Sequence, residues 1–207
     1  MRSGDLDLNR IQLHGSLAAS PIFSHRNHEV DFYQFPLAVP RLSGVEDRLN
    51  VVAAHHVLEQ IPALQPGQEV TLRGEVRTFN NRTGVGSRLV ISAFARELVL
   101  EEGEGDNRLE LSGTVCKQPA LRATPLGRTI CDLILAANRR YGRADYLPCI
   151  AWGSLAHRCG ALEVGNRIQL NGRLQSRRYT KLVEGQLTER TAFEVSVMSL
   201  SVLDPQS

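Results

Sequence analysis

The chain has 207 residues, of which 42% are hydrophobic and 22% charged, with a formal net charge of +2. That balance suits one or two ordinary globular domains. It contains no apolar run of the roughly 20 residues needed to span a bilayer. The opening MRSGDLDLNR lacks the apolar core of a secretion signal, so an intracellular, cytoplasmic protein is expected.

Self-comparison along the chain shows a repeat at a fixed offset of 98 residues. Asn9 pairs with Asn107, Gly15 with Gly113, Pro21 with Pro119, Leu37-Ala38 with Leu135-Ala136, and Arg41 with Arg139. Asp47 pairs with Asp145, Ala53 with Ala151, Gly67 with Gly165 and Gly74 with Gly172. The frame needs no gap until the segments RTFNNRTGVGSR and SRRYTKLVEGQLTER, which differ in length as hairpin tips do. Two domains are therefore expected, at 5–100 and 107–203. The acidic stretch 101–106 (EEGEGD) joins them as a solvated linker; it lacks the spacing of a calcium loop.

Within each copy the order reads as two apolar strands, a third strand, a short helical segment and two further strands. In the second copy Leu109, Leu111, Gly113 and Val115 alternate with polar residues, as do Ile168, Leu170, Gly172 and Leu174. A period of two marks strands with one buried face. Arg167, Gln169, Asn171 and Arg173 would then face outward. Between them, Ile130–Ala137 is apolar on both faces and reads as a central strand running into Asn138-Arg139-Arg140. The helical segments are 53–64 (AAHHVLEQIPAL) and 153–162 (GSLAHRCGAL), stopped by Gly67 and Gly165. Five strands with a helix between the third and fourth is the arrangement of an OB barrel, so the expected fold class is all-β, with two tandem OB-fold five-stranded barrels.

Charge separates the copies. Residues 1–106 carry 10 arginines against 14 acids, whereas residues 107–203 carry 14 basic residues against 7 acids. Phosphate neutralisation supplies most non-specific nucleic-acid affinity, so the second copy is the expected polyanion-binding half. Only two of the 24 basic residues are lysine, and arginine can both pair with phosphate and stack on a base. Cys116, Cys131, Cys149 and Cys159 form no CxxC pair and read as small buried hydrophobes. His157 and Cys159 lack a second ligand pair, so no metal or cofactor is expected. There is no Gly-rich Lys-Ser/Thr phosphate loop, HExxH or Gly-x-Ser-x-Gly elbow, and no enzymatic activity is expected.

The second copy resembles the bacterial single-stranded DNA-binding protein family. The resemblance is carried by GTVCKQPALRATPLGR (Gly113, Pro119, Arg122, Gly127), then LAANRR, CIAWG and NRIQLNGRLQSRRY, four motifs in order. It implies sequence-nonspecific binding and protection of single-stranded DNA in replication, recombination or repair. The positions it assigns to base stacking are Trp152 and Tyr179, with Tyr141 near the strand end. Its phosphate partners would be Arg122, Arg128, Arg139, Arg140, Arg173, Arg177, Arg178 and Lys181. In the first copy Phe79, Arg77 and Arg82 occupy the analogous hairpin and Arg41 the strand end. That copy departs from the family where Ala54 stands for Trp152, Glu75 for Arg173 and Pro40 for Asn138, so DNA binding is assigned chiefly to the second copy. The resemblance further implies a homodimer presenting four OB folds. Because the sequence ends at SVLDPQS, partner recruitment through an acidic tail is not expected. The alternative is a primosome-like accessory OB protein acting mainly through protein contacts.

Overall fold

The computed structural model describes residues 6–61, 64–81, 89–183 and 186–203. The first copy contributes β1 (Asn9–Leu17), β2 (Ile22–Asn27), β3 (Val30–Pro40), β4 (Glu46–Ala54), α1 (His55–Leu58), β5 (Glu69–Asn80) and β6 (Leu89–Leu100). The second contributes β7 (Asp106–Val115), β8 (Ala120–Ala123), β9 (Thr129–Arg139), β10 (Arg143–Trp152), α2 (Ser154–Gly160), β11 (Arg167–Val183) and β12 (Gln186–Val202). Residues 101–105 of the acidic stretch lie outside regular structure.

In the first copy, backbone pairing runs β1 to β3, β3 to β4, β4 to β6, β6 to β5 and β5 back to β1. Only the β4–β6 pair is parallel. The second copy repeats the circuit as β7, β9, β10, β12, β11 and β7, with β10–β12 its parallel pair. A five-strand ring in which every edge is paired is a closed barrel, and closure removes the open edges that would invite aggregation. Each copy is an OB fold. The helix follows the third barrel strand, and each copy also has a short sixth strand, β2 or β8, on the outside of β3 or β9. These edge strands are exposed along almost their whole length. Neither one buries a face, so neither leaves an alternating pattern in the sequence.

Alternation accounts for the two cores. Ile11, Leu13, Leu37, Leu49, Val51 and Leu72 are at most 2% exposed and fill the first barrel. Leu109, Leu111, Leu135, Leu147, Ile168 and Leu170 fill the second. The helices are shorter than the sequence suggests, four residues for α1 and seven for α2, and neither has a side-chain cap. Without that cap, and with Pro62 close behind α1, the 12-residue segment 53–64 cannot continue as helix.

The repeated glycines have physical reasons. A methyl group on Gly15 would overlap the Ala38 carbonyl oxygen, and one on Gly113 the Ala136 carbonyl oxygen. The Gly74 and Gly172 positions face the Phe94 and Ser196 carbonyls in the same way. Gly67 and Gly165 have φ of +87° and +97°, the left-handed region, and donate to the carbonyls of Leu17 and Val115 at 2.8 Å. Gly74 also adjoins the register shift between β5 and β6. Gly74→Ala is expected to destabilise the first barrel by about 1–3 kcal/mol through overpacking, read as a lower urea midpoint with an unchanged slope.

The chain divides into two compact units that do not coincide with the halves of the repeat. One comprises Met1–Asn9, Leu109–Leu174 and Glu194–Ser207; the other comprises Arg10–Arg108 and Gln175–Phe193. In the first of these, Asp7 is buried, accepts from the Asn138 N–H at 2.8 Å and the Ser112 hydroxyl at 3.1 Å, and pairs with Arg167 at 2.5 Å. In the second, the outer part of the β11–β12 hairpin packs on the first copy's strands.

Candidate nucleic-acid interface

Strand β10 sets the geometry in the second copy. Its inward residues Asp145, Leu147, Cys149 and Ala151 are at most 2% exposed. The opposite parity carries Tyr146, Pro148, Ile150 and Trp152. Trp152 is 42% exposed and Tyr146 is 52% exposed, so two large rings stand on the outer face of one strand. Trp152 ends the strand directly before Gly153, whose φ of +59° turns the chain into α2. Tyr146 is not among the sequence candidates. Counting back from Trp152 in steps of two is the signal that finds it.

The turn from β9 to β10 is tight. Arg139 pairs across it with Arg143, and Tyr141 and Gly142 both take positive φ. Tyr141 is 94% exposed and Arg140 lies beside it in water. Arg139 is half-buried, with a guanidinium nitrogen 3.7 Å from the fully buried Asp145, and its Nε has no hydrogen-bond partner. Arg122, on β8, is held by Asp132 of β9 at 2.5 Å, while Arg128 lies exposed before β9. Arg173 is half-buried on the outward parity of β11, and its Nε also lacks a partner.

The remaining candidates belong to the other compact unit. Arg177 lies over the Tyr179 ring at 5.5 Å, and Arg178 is 3.9 Å from Glu189. Tyr179 borders a cavity of about 460 Å³ together with Asn50, Leu89, Val90, Arg190 and Phe193. Lys181 is on β11. Phe79 is 52% exposed on β5, and Arg77 is paired with Glu75. Arg41 is engaged in a two-pronged pair with Asp47, which is fully buried. Arg82 lies outside the described residues. Trp152 and Tyr179 are thus placed in different units.

Among the described residues no group of three metal-ligating side chains is found. Burial pushes the Cys159 thiol up to about 12 and raises Cys149 further still. Cys131, also buried, shifts the same way. Cys116 is exposed. A raised thiol pKa in a buried site leaves the group protonated and unreactive at pH 8. Partial burial raises the Cys116 thiol as well, but it alone of the four is exposed, so a thiol-reactive dye on the native protein should label Cys116 first and the other three only on unfolding.

Two closed five-stranded rings, one with aromatic residues and arginines on its outer face, define a tandem OB-fold protein. Residues 106–203 match the single-strand binding protein family. Single-stranded DNA-binding protein A of Bacillus subtilis is 33% identical over 109 residues, covering 49% of this chain and 61% of that protein. The single-stranded DNA-binding protein of Bacillus cereus is 34% identical over 109 residues, covering 49% and 62%. The chain thus spans about three fifths of the length of these relatives. Over its whole length the fold is similar to the single-stranded DNA binding protein of Thermus aquaticus, with a TM-score of 0.80 and 22% identity. That match covers 98% of this chain and 96% of the other, and a deletion mutant of the same protein gives a TM-score of 0.79.

Proposed function

We propose that this protein binds single-stranded DNA without sequence preference and protects it during replication, recombination or repair. The observation that carries the reading is Trp152, a large ring on the outer face of β10 that the core does not use. The family relationship of residues 106–203 supports it. Tyr146 offers a second ring on the same strand face, and Tyr141 a third at the adjoining turn. Arg140 lies beside Tyr141, Arg128 precedes β9 and Arg173 stands on the outward parity of β11, three candidate phosphate partners in the same copy. A single strand would lay bases on the rings and phosphates on the arginines. Stacks of this kind are worth about 1–3 kcal/mol per base and tolerate any sequence, because every base has a π-face. No bond is made or broken, and the proposed role is binding in the bacterial cytoplasm or nucleoid.

Two OB folds per chain also support assembly as a homodimer with four OB folds. Sedimentation equilibrium should then return twice the 22.9 kDa chain mass. The direct test of binding is titration with poly-dT at two salt concentrations, following the emission of Trp152, the only tryptophan. Strong quenching that weakens with salt, and little response to duplex, is the expected result. The slope of log K on log salt should be about −0.7 for each phosphate neutralised. Absence of binding at low salt would overturn the proposal.

A further inference from the structure

The first copy lacks the tryptophan, yet its outer face is not bare. The cross-strand pair of Trp152 is Ile130. The offset of 98 places this pair on Ala54 and Phe32, which are also cross-strand partners. The ring has therefore moved to the facing strand, with a small residue where the tryptophan would be. One strand further, the Ile150–Ser196 pair of the second copy corresponds to Val52–Phe94 in the first. A second ring stands where the second copy has a serine.

These rings meet over β4. The Phe32 and Phe94 centroids are 5.8 Å apart. Val52 and Ala54, the cross-strand partners of Phe94 and Phe32, are 7% and 4% exposed although they have outward parity. His25 of β2 stacks on Phe32 at 4.9 Å with planes within 10°, and the Arg96 guanidinium lies over Phe94 at 4.8 Å. His25 and Arg96 are exposed and the two phenylalanines are half-buried. The result is one continuous row of planar groups across the outside of the first barrel.

We propose that the row His25–Phe32–Phe94–Arg96 is a second base-stacking site for the same single strand, built from different strands than the site at Trp152. The inference rests on the single-strand reading above and adds a separate site to it. Planar, sequence-blind stacking is the chemistry these four groups share. A poly-cationic ligand does not fit, because the Arg96 guanidinium caps one end of the row. A phosphate-driven site does not fit either, since Arg96 is also 3.4 Å from Glu75 and Arg26 is paired with Asp31. Binding at this row should accordingly add affinity with little added salt dependence.

The test uses the full chain and the double variant Phe32→Leu, Phe94→Leu, in which leucine keeps an apolar side chain at each position but offers no π-face. Anisotropy of labelled oligo-dT is measured with a strand of about 10 nucleotides, enough for one OB fold, and one of about 35, enough for several. The double variant should bind the long strand about tenfold more weakly, with an unchanged salt slope and fewer nucleotides occluded per chain. Its affinity for the short strand, which the second copy takes first, should stay the same. In a parallel measurement without mutation, a long strand carrying 5-iododeoxyuridine should crosslink to peptides containing His25, Phe32 or Phe94. Unchanged long-strand affinity and site size, with crosslinks confined to the second copy, would overturn the inference while leaving the single-strand reading intact. Failure of the unmodified chain to bind either strand would overturn both.

Discussion

Replacing Asp47 with alanine is expected to destabilise the protein more than any other single change on its polar groups, by about 3–5 kcal/mol. The carboxylate is fully buried and accepts four hydrogen bonds within one compact unit. Arg41 contributes Nε at 2.7 Å and Nη2 at 2.5 Å, and Ser176 contributes its N–H at 2.7 Å and its hydroxyl at 3.2 Å. The Ser176 hydroxyl in turn accepts from the Arg48 N–H at 3.2 Å. Truncation removes the carboxylate partner of a half-buried guanidinium, which keeps the Ser176 carbonyl at 3.1 Å, and the acceptor of the Ser176 N–H. That loss, rather than the net worth of the ion pair, sets the size of the effect. Urea unfolding of Asp47→Ala should show a large fall in midpoint, whereas Asp132→Ala, whose pair with Arg122 is half exposed, should show little change. If the double variant Asp47→Leu, Arg41→Met recovers much of the loss, the cost belongs to the stranded partner. If Asp47→Ala leaves the midpoint in place, the buried network contributes nothing.

The largest effect on binding is expected at Trp152. Trp152→Ala should lower affinity for oligo-dT by about 1–3 kcal/mol, roughly 5- to 150-fold, with the salt slope retained. The ring lies on the outer face, 42% exposed, so its removal should lower the unfolding midpoint less than truncation of a core residue such as Leu147. Arg140→Ala should do the reverse, with a small loss that vanishes at high salt and a shallower slope. A Trp152 variant that binds as tightly as the parent would remove the main support for the proposed function. An equal loss of stability and affinity would mean that the ring serves packing.

Arg41 and Arg139 show how far sequence could go. They are repeat partners, and arginine after a central strand reads equally well as a phosphate ligand. The structure gives both a buried carboxylate, Asp47 and Asp145, which are repeat partners too. Sequence contains all four residues and the common offset of 98, but not the turn that folds each arginine back onto its aspartate. Tyr146 is hidden for another reason: its neighbours Leu147 and Pro148 make the segment read as apolar, and only burial distinguishes the two faces of β10.

The duplication, the strand alternation and the asymmetry of charge are readable from the linear chain, because each is a periodic or additive property. Repeated glycines were legible as well, since overlap with a facing carbonyl excludes a Cβ at four of those positions and a left-handed φ disfavours one at two. Which side chains meet is set by the folded structure. It joined Ser176 to Asp47, far away along the chain, and placed the hairpin 175–193 in one compact unit with residues 10–108. It also assembled the His25, Phe32, Phe94 and Arg96 row from three strands around Ala54, where the linear comparison showed only a missing tryptophan. Cross-strand register is the reason: neighbours in a barrel are set by backbone pairing between distant segments, which a position-by-position comparison of the two copies does not contain.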